Sequence, residues 1–220
     1  MIHVAAAPEP PDFDEKVRQR GLKAIAAMVG EAPARRARGR PFRKVADRRE
    51  DIPSTEFPDF WCDALPQMRQ LYDGICAYMG MRVYPGLSGG TVDHYIPKTA
   101  SWENVYEWSN YRFACAEVNR WKGTKILPYD PFTMPDELCA LELVAFQVKP
   151  GNAATGDAEA LVDHMINQQL RLNERLCREA RERYFTDYIT GGIKLYVLER
   201  DAPFIAMELR RQGMLLPGDV

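Results

Sequence analysis

The 220-residue sequence predicts an α+β fold. Three observations carry that prediction: short alternating apolar runs near the middle, a long stretch of helical periodicity toward the C-terminus, and Gly or Pro punctuation between them. Hydrophobic residues make up 46% and charged residues 27%, enough apolar side chain for a core and enough charge for a wet surface. That balance excludes a chain disordered throughout.

The N-terminal "MIHVAAAPEPPDF" reads as an extended arm or short strand, because its prolines exclude a helix. From Asp14 to about Val29, "DEKVRQRGLKAIAAM" predicts a helix capped by Asp14 and stopped by Gly30. Arg35, Arg36, Arg38, Arg40, Arg43, Lys44, Arg48 and Arg49 then crowd one segment. In a chain of formal net charge -2, such a block is either a polyanion contact or a solvated arm. "FWCDALPQMRQLYDGICAYMG" predicts a helix that breaks near Gly74. "ELCALELVAFQV" predicts a strand ended by Pro150 and Gly151. The longest expected helix is "GDAEALVDHMINQQLRLNERLCREARERYFTDYI". Its apolar stripe is Leu161, Met165, Leu172, Leu176 and Ala180, and Gly191 and Gly192 end it. A last helix starts at Pro203 and stops at Gly213.

Five cysteines at irregular spacing make no disulfide framework. No secretory pattern opens the sequence, and no apolar run is long enough to span a bilayer. The expected location is cytoplasmic, with no membrane contact.

The chemistry is concentrated in "GGTVDHYIPKTASWENVYEWSNYRFACAEVNRWKGTK". Asp93 and His94 are adjacent. Neighbouring side chains alternate along a strand, but at a strand end both can face one centre. Asn110 precedes the alternating run "YRFAC", and Asn119 lies in "CAEVNRWKG", which can start a helix. Two short strands followed by a helix would bring Asp93, His94, Asn110 and Asn119 into one small volume. A second "VDH", Val162 to His164, falls in the long helical stretch without a downstream Asn-Arg-x-Lys-Gly element, so His164 reads as a surface or packing residue.

The elements "VDHYIPK", "WSNYRFAC" and "NRWKGTK" resemble those of HNH endonucleases. The resemblance implies a ββα-metal HNH core over 61–135. An N-terminal arm, helix and basic segment over 1–60 and a C-terminal strand and helical extension over 136–220 would surround it. It implies His94 as general base, Asp93 and Asn119 as ligands of Mg²⁺ (or Mn²⁺), and Asn110 orienting the His94 ring through its other nitrogen. A histidine of ordinary pKa, ~6.5, is largely neutral at pH 7 and can accept a proton. A carboxylate and an amide oxygen are hard ligands suited to Mg²⁺. Lys98, Arg120, Lys122 and Lys125 are expected around the site, holding a phosphate backbone or serving as ordinary surface charge. Asn104 is a rival for the middle position, and Asn110 is preferred for its strand context. Trp102, Trp108 and Trp121 either stack on bases or pack the domain. Many HNH proteins bind a structural zinc through two Cys-x-x-Cys pairs. Here "CAYM" and "CAEV" retain only Cys76 and Cys115, so no structural zinc is expected, and Met79 and Val118 fill the space.

Outside that core, the "PEPPDF" arm, "YEWSNYRFACAEVNRWKGTKILPYDPF", "LELVAFQVKPG" and "INQQLRLNERLCREAR" resemble the HNH subunit of Septu-type and retron-associated anti-phage systems. This implies hydrolysis of nucleic-acid phosphodiester bonds, DNA being the first choice, within a defence complex that contains an ATPase. The chain has no G-x-x-x-x-G-K-S/T loop, so the ATPase would be a separate subunit. Alternatives are a stand-alone restriction or homing nuclease, for which no second DNA-reading module is visible, and a non-catalytic nucleic-acid-binding scaffold.

Overall fold

Helix α1 (Gln19–Met28) forms where the apolar residues recur at helical spacing. A π turn over Asp14–Arg18 leads into it, and Val17, Ala24, Ile25 and Met28 are buried along one side. The computed structural model describes residues 1–31, 42–85 and 89–219. Arg35, Arg36, Arg38 and Arg40 of the basic block lie outside the described residues. Asp14 does not cap the helix as expected. The residue before it, Phe13, already has helical dihedrals, and the Asp14 carboxylate accepts a hydrogen bond from Arg18 Nη1 at 2.9 Å. Gly30, at φ +81°, ends the helix as expected.

A 3₁₀ turn over Phe60–Ala64 enters α2 (Leu65–Leu71), and the chain reverses at Gly74, whose φ of +67° suits glycine. Strands β1 (Gly90–His94) and β2 (Tyr111–Cys115) then pair antiparallel, with Gly90 opposite Cys115 and His94 opposite Tyr111. Helix α3 (Ala116–Lys122) follows β2 without a connecting loop. Gly90 has a steric reason to be there, since the Phe113 ring occupies the place of any Cβ.

The strand expected in "ELCALELVAFQV" is split into a hairpin of β3 (Cys139–Leu141) and β4 (Val148–Pro150). The Glu142 carboxylate accepts the N–H groups of Val144 and Ala145 at 2.5 and 2.7 Å, and Phe146 adopts φ +57°. These local bonds make a turn out of an apolar run and leave Val144 89% exposed.

The long expected helix is also divided. It becomes α4 (Asp157–His164), a π turn over Met165–Gln169, and α5 (Arg175–Ile189). Between them Arg171 turns to φ +54°, and the Asn173 side chain bonds both the N–H and the C=O of Val148, at 2.7 and 2.8 Å. The break shifts the helical phase. Met165 and Leu172 are buried as expected, but Leu161 and Leu176 are 50% and 56% exposed, while Val162, Ile166, Leu170 and Cys177 are buried. An additional helix, α6 (Leu195–Asp201), precedes α7 (Pro203–Arg211), which starts at Pro203 as expected. His164 is exposed.

Among the described residues the architecture is thus helical with two small antiparallel sheets, in keeping with the expected α+β class. Phe13, Ile25, Met68, Tyr78, Phe113, Val118, Leu141, Ile166 and Phe204 belong to one buried cluster, so both ends of the chain pack on the β1–β2–α3 unit. Among the described residues no helix is long and apolar enough to cross a membrane.

Candidate functional site

The site is built at the open end of β1. Asn110 stands just before β2 and is buried. Its Oδ1 accepts the Ile96 N–H at 2.7 Å, and its Nδ2 donates to the carbonyls of Ile96 and Asn104 at 3.0 and 2.9 Å. The amide therefore pins both ends of the connection between β1 and β2. Asn104, the rival, uses its side chain on Ser101 Oγ at 2.9 Å.

The His94 ring is oriented by a different group from the one expected. Its Nε2 lies 3.0 Å from the Val105 carbonyl oxygen. A carbonyl can only accept, so Nε2 carries the hydrogen and Nδ1 keeps the lone pair. Tyr111 donates its hydroxyl to the same carbonyl at 2.8 Å, and the rings of Trp61 and Tyr111 meet the imidazole edge-on at 4.9 and 5.2 Å. Asn110 acts on His94 only indirectly, by fixing the loop that presents Val105. Burial lowers the His94 pKa to about 4, the Val105 bond opposing and Lys98 and Lys122 reinforcing the shift, so the imidazole is neutral at pH 7.

Asp93, one residue earlier, is 2% exposed. Its Oδ2 accepts the Tyr78 hydroxyl, and its Oδ1 lies 3.0 Å from Lys122 Nζ. Lys122 also donates to the His94 carbonyl at 2.8 Å. The expected placement of Lys122 as a surface cation for phosphate is corrected here, because its side chain is fully buried. The reason lies in α3. Lys122 is three residues beyond Asn119, so the two share the helix face that packs on β1. Burial pushes the Asp93 carboxyl up, and the Lys122 charge and the Tyr78 hydroxyl pull it back. Asn119 commits its Nδ2 to Thr91 Oγ1 at 2.9 Å and the Val92 carbonyl at 3.3 Å, which leaves Oδ1 as its available acceptor.

Asp93, His94 and Asn119 line one cleft of about 250 Å³ together with Trp61, Lys98 and Ser54. Of the four cations expected to hold phosphate, Lys98 alone lines it. Arg120 is exposed and paired with Glu117 at 2.5 Å; Lys125 is exposed and donates to the Trp121 carbonyl at 2.5 Å. Trp61 and Tyr78 are site residues that sequence reasoning missed. Lys98 Nζ sits 4.2 Å from the Trp61 ring centroid, covering the ring that abuts His94. Trp108 is a core residue donating to the Ala7 carbonyl at 2.9 Å, while Trp102 and Trp121 are half-buried.

Among the described residues no three His, Cys, Asp or Glu side chains form a group able to hold a metal ion. The site offers one carboxylate and one amide oxygen. Each Asp93 oxygen accepts one hydrogen bond and has a second lone pair, so the pair still fits a hard cation that keeps most of its own waters, such as Mg²⁺. Cys76, itself buried, accepts at Sγ the N–H groups of Cys115 and Met79 at 3.3 and 3.4 Å, and Met79 and Val118 are buried in the core. Comparison with protein-family models, with curated proteins and with solved structures finds no match to this chain.

Proposed function

We propose that this chain is a divalent-metal-dependent endonuclease of the HNH kind, with a ββα-metal core, hydrolysing phosphodiester bonds in nucleic acid, DNA first. One observation carries the reading. A neutral imidazole, tied through Nε2 to a carbonyl, shares a cleft with a buried carboxylate and an amide oxygen at the meeting of two antiparallel strands and a helix.

His94 Nδ1 takes the proton from the attacking water, a general-base step. The Val105 carbonyl holds the tautomer that leaves Nδ1 free, and Trp61 and Tyr111 restrict the ring. Asp93 and Asn119 would hold Mg²⁺ or Mn²⁺ through Oδ atoms, and Tyr78 and Lys122 fix the carboxylate from behind, as partners of metal ligands commonly do. Bound there, the cation supplies charge neutralisation at the scissile phosphate and at the leaving oxygen. Lys98 holds a phosphate oxygen at the cleft wall. The products are a 5′-phosphate and a 3′-hydroxyl.

The resemblance to anti-phage HNH subunits extends this proposal to a defence complex with a separate ATPase subunit. Plasmid cleavage with Mg²⁺ or Mn²⁺, with and without that subunit, tests both levels. His94→Ala is expected to lose about 10²–10⁴-fold in rate, the usual weight of a general base. Unchanged cleavage in that variant overturns the mechanism, and no cleavage under either condition overturns the nuclease reading.

A further inference from the structure

A second cleft, of about 210 Å³, adjoins the first; the two share Ser54, Lys98 and Thr99. Its lining includes the largely buried side chains of Ile52 and Phe57, the polar residues Glu50 and Ser101, and Trp102. Arg49 places its guanidinium carbon 5.1 Å from the Trp102 ring centroid and is itself held by an ion pair with Glu31. The first cleft repeats the arrangement, with Lys98 over Trp61 beside His94. Two indoles, each with a cation over its ring, therefore flank a short groove that starts at the candidate catalytic centre.

The composition of the second cleft decides what fits. The Trp102 indole favours a flat group, the hydroxyls of Ser54, Thr99 and Ser101 in the lining suit one with hydrogen-bonding edges, and Glu50 disfavours another phosphate there. The space of about 210 Å³ admits a planar base. A base can lie against an indole only when it is out of its own stack.

Resting on the nuclease reading, we propose that this cleft is a base-binding subsite in which a nucleotide next to the scissile phosphate lies against Trp102, with Lys98 at the intervening phosphate. The substrate is then single-stranded or locally unpaired nucleic acid. Stacking supplies affinity with little sequence preference, because every base has a π-face.

The test uses full-length protein carrying His94→Ala as the parent, with a short labelled single-stranded oligodeoxynucleotide and the same sequence as a blunt duplex. Binding is followed by fluorescence anisotropy. The parent is expected to prefer the single strand. Trp102→Ala should weaken that binding by roughly 5- to 150-fold, the range for loss of one base–aromatic stack, and Trp102→Phe should recover most of it. A thermal melt confirms that each variant is folded. Single-strand binding that ignores Trp102→Ala, or a parent that prefers duplex, overturns this inference and leaves the nuclease reading standing. A parent that binds neither oligonucleotide, together with no cleavage by the wild type, overturns both.

Discussion

Lys122→Met is the most direct test of how the site is held together. Methionine keeps much of the length and apolar volume of the lysine stem, so the change mainly removes the ammonium group. In the wild type that group lies 3.0 Å from Asp93 Oδ1 and 2.8 Å from the His94 carbonyl. At this separation the attraction between unit charges is about 5 kcal/mol for an effective dielectric constant of ~20, before desolvation is subtracted. The variant leaves a carboxylate that is 2% exposed with the Tyr78 hydroxyl as its hydrogen-bond donor. Removing one partner of a buried ion pair costs ~3–5 kcal/mol, and the orphaned carbonyl falls within that range. For a chain of this size the melting temperature should fall by about 6–20 °C. Urea unfolding followed by circular dichroism measures the cost, and Asp93→Asn made in both backgrounds supplies a double-mutant cycle. A coupling of about 2 kcal/mol is expected, because the double variant no longer contains an uncompensated buried charge. A cost below ~1 kcal/mol, the value for an exposed lysine, would refute the buried pair and return Lys122 to the surface.

Two further predictions concern the frame around the site. Asn110→Ala removes all three bonds that pin the connection between the strands, and should destabilise the protein by about 3 kcal/mol while speeding hydrogen exchange at the Ile96 amide. Protection at Ile96 equal to that in the wild type would show that the loop is held elsewhere. Asp201 is bonded by Arg200 at 2.6 Å, Arg82 at 2.5 Å and Tyr84 at 2.9 Å, and these partners, Arg200 foremost, lower its pKa to about 2. Because the folded value is the lower one, its contribution of about 2 kcal/mol is complete above the unfolded pKa of ~3.9 and is lost as pH falls toward 2. Asp201→Asn should lower stability at pH 7 and flatten that acid limb of the unfolding curve; an unchanged limb would exclude Asp201 as its source.

Much of the framework was legible because its determinants are local. The alternating "YRFAC" does form β2, Gly74 and Gly30 do stop their segments, and Pro203 does open the last helix. Each follows from the backbone preferences of a few consecutive residues. The misplacements came where hydrogen bonds from a side chain to the backbone overrode an apolar period. Glu142 turns the chain inside "LELVAFQV", and Asn173, held by the Val148 backbone, accompanies the break in the longest helical stretch. Periodicity counts apolar positions and is blind to such bonds.

The sequence by itself determined which polar residues are available, and in what order: Asp93 and His94 at one strand end, Asn110 before the next strand, Asn119 on the helix that follows. That much depends on spacing along the chain. Tertiary structure alone decided which of them meet and what each does. It turned Lys122 inward onto Asp93, gave the His94 ring to the Val105 carbonyl and left Asn110 to the loop, and it brought Tyr78 and Trp61 to the site from segments that precede β1. Burial is the physical reason. An ammonium group, a phenol or a carbonyl that loses water must find its partner within about 3 Å, and which partner lies there depends on how the helices close over the sheet.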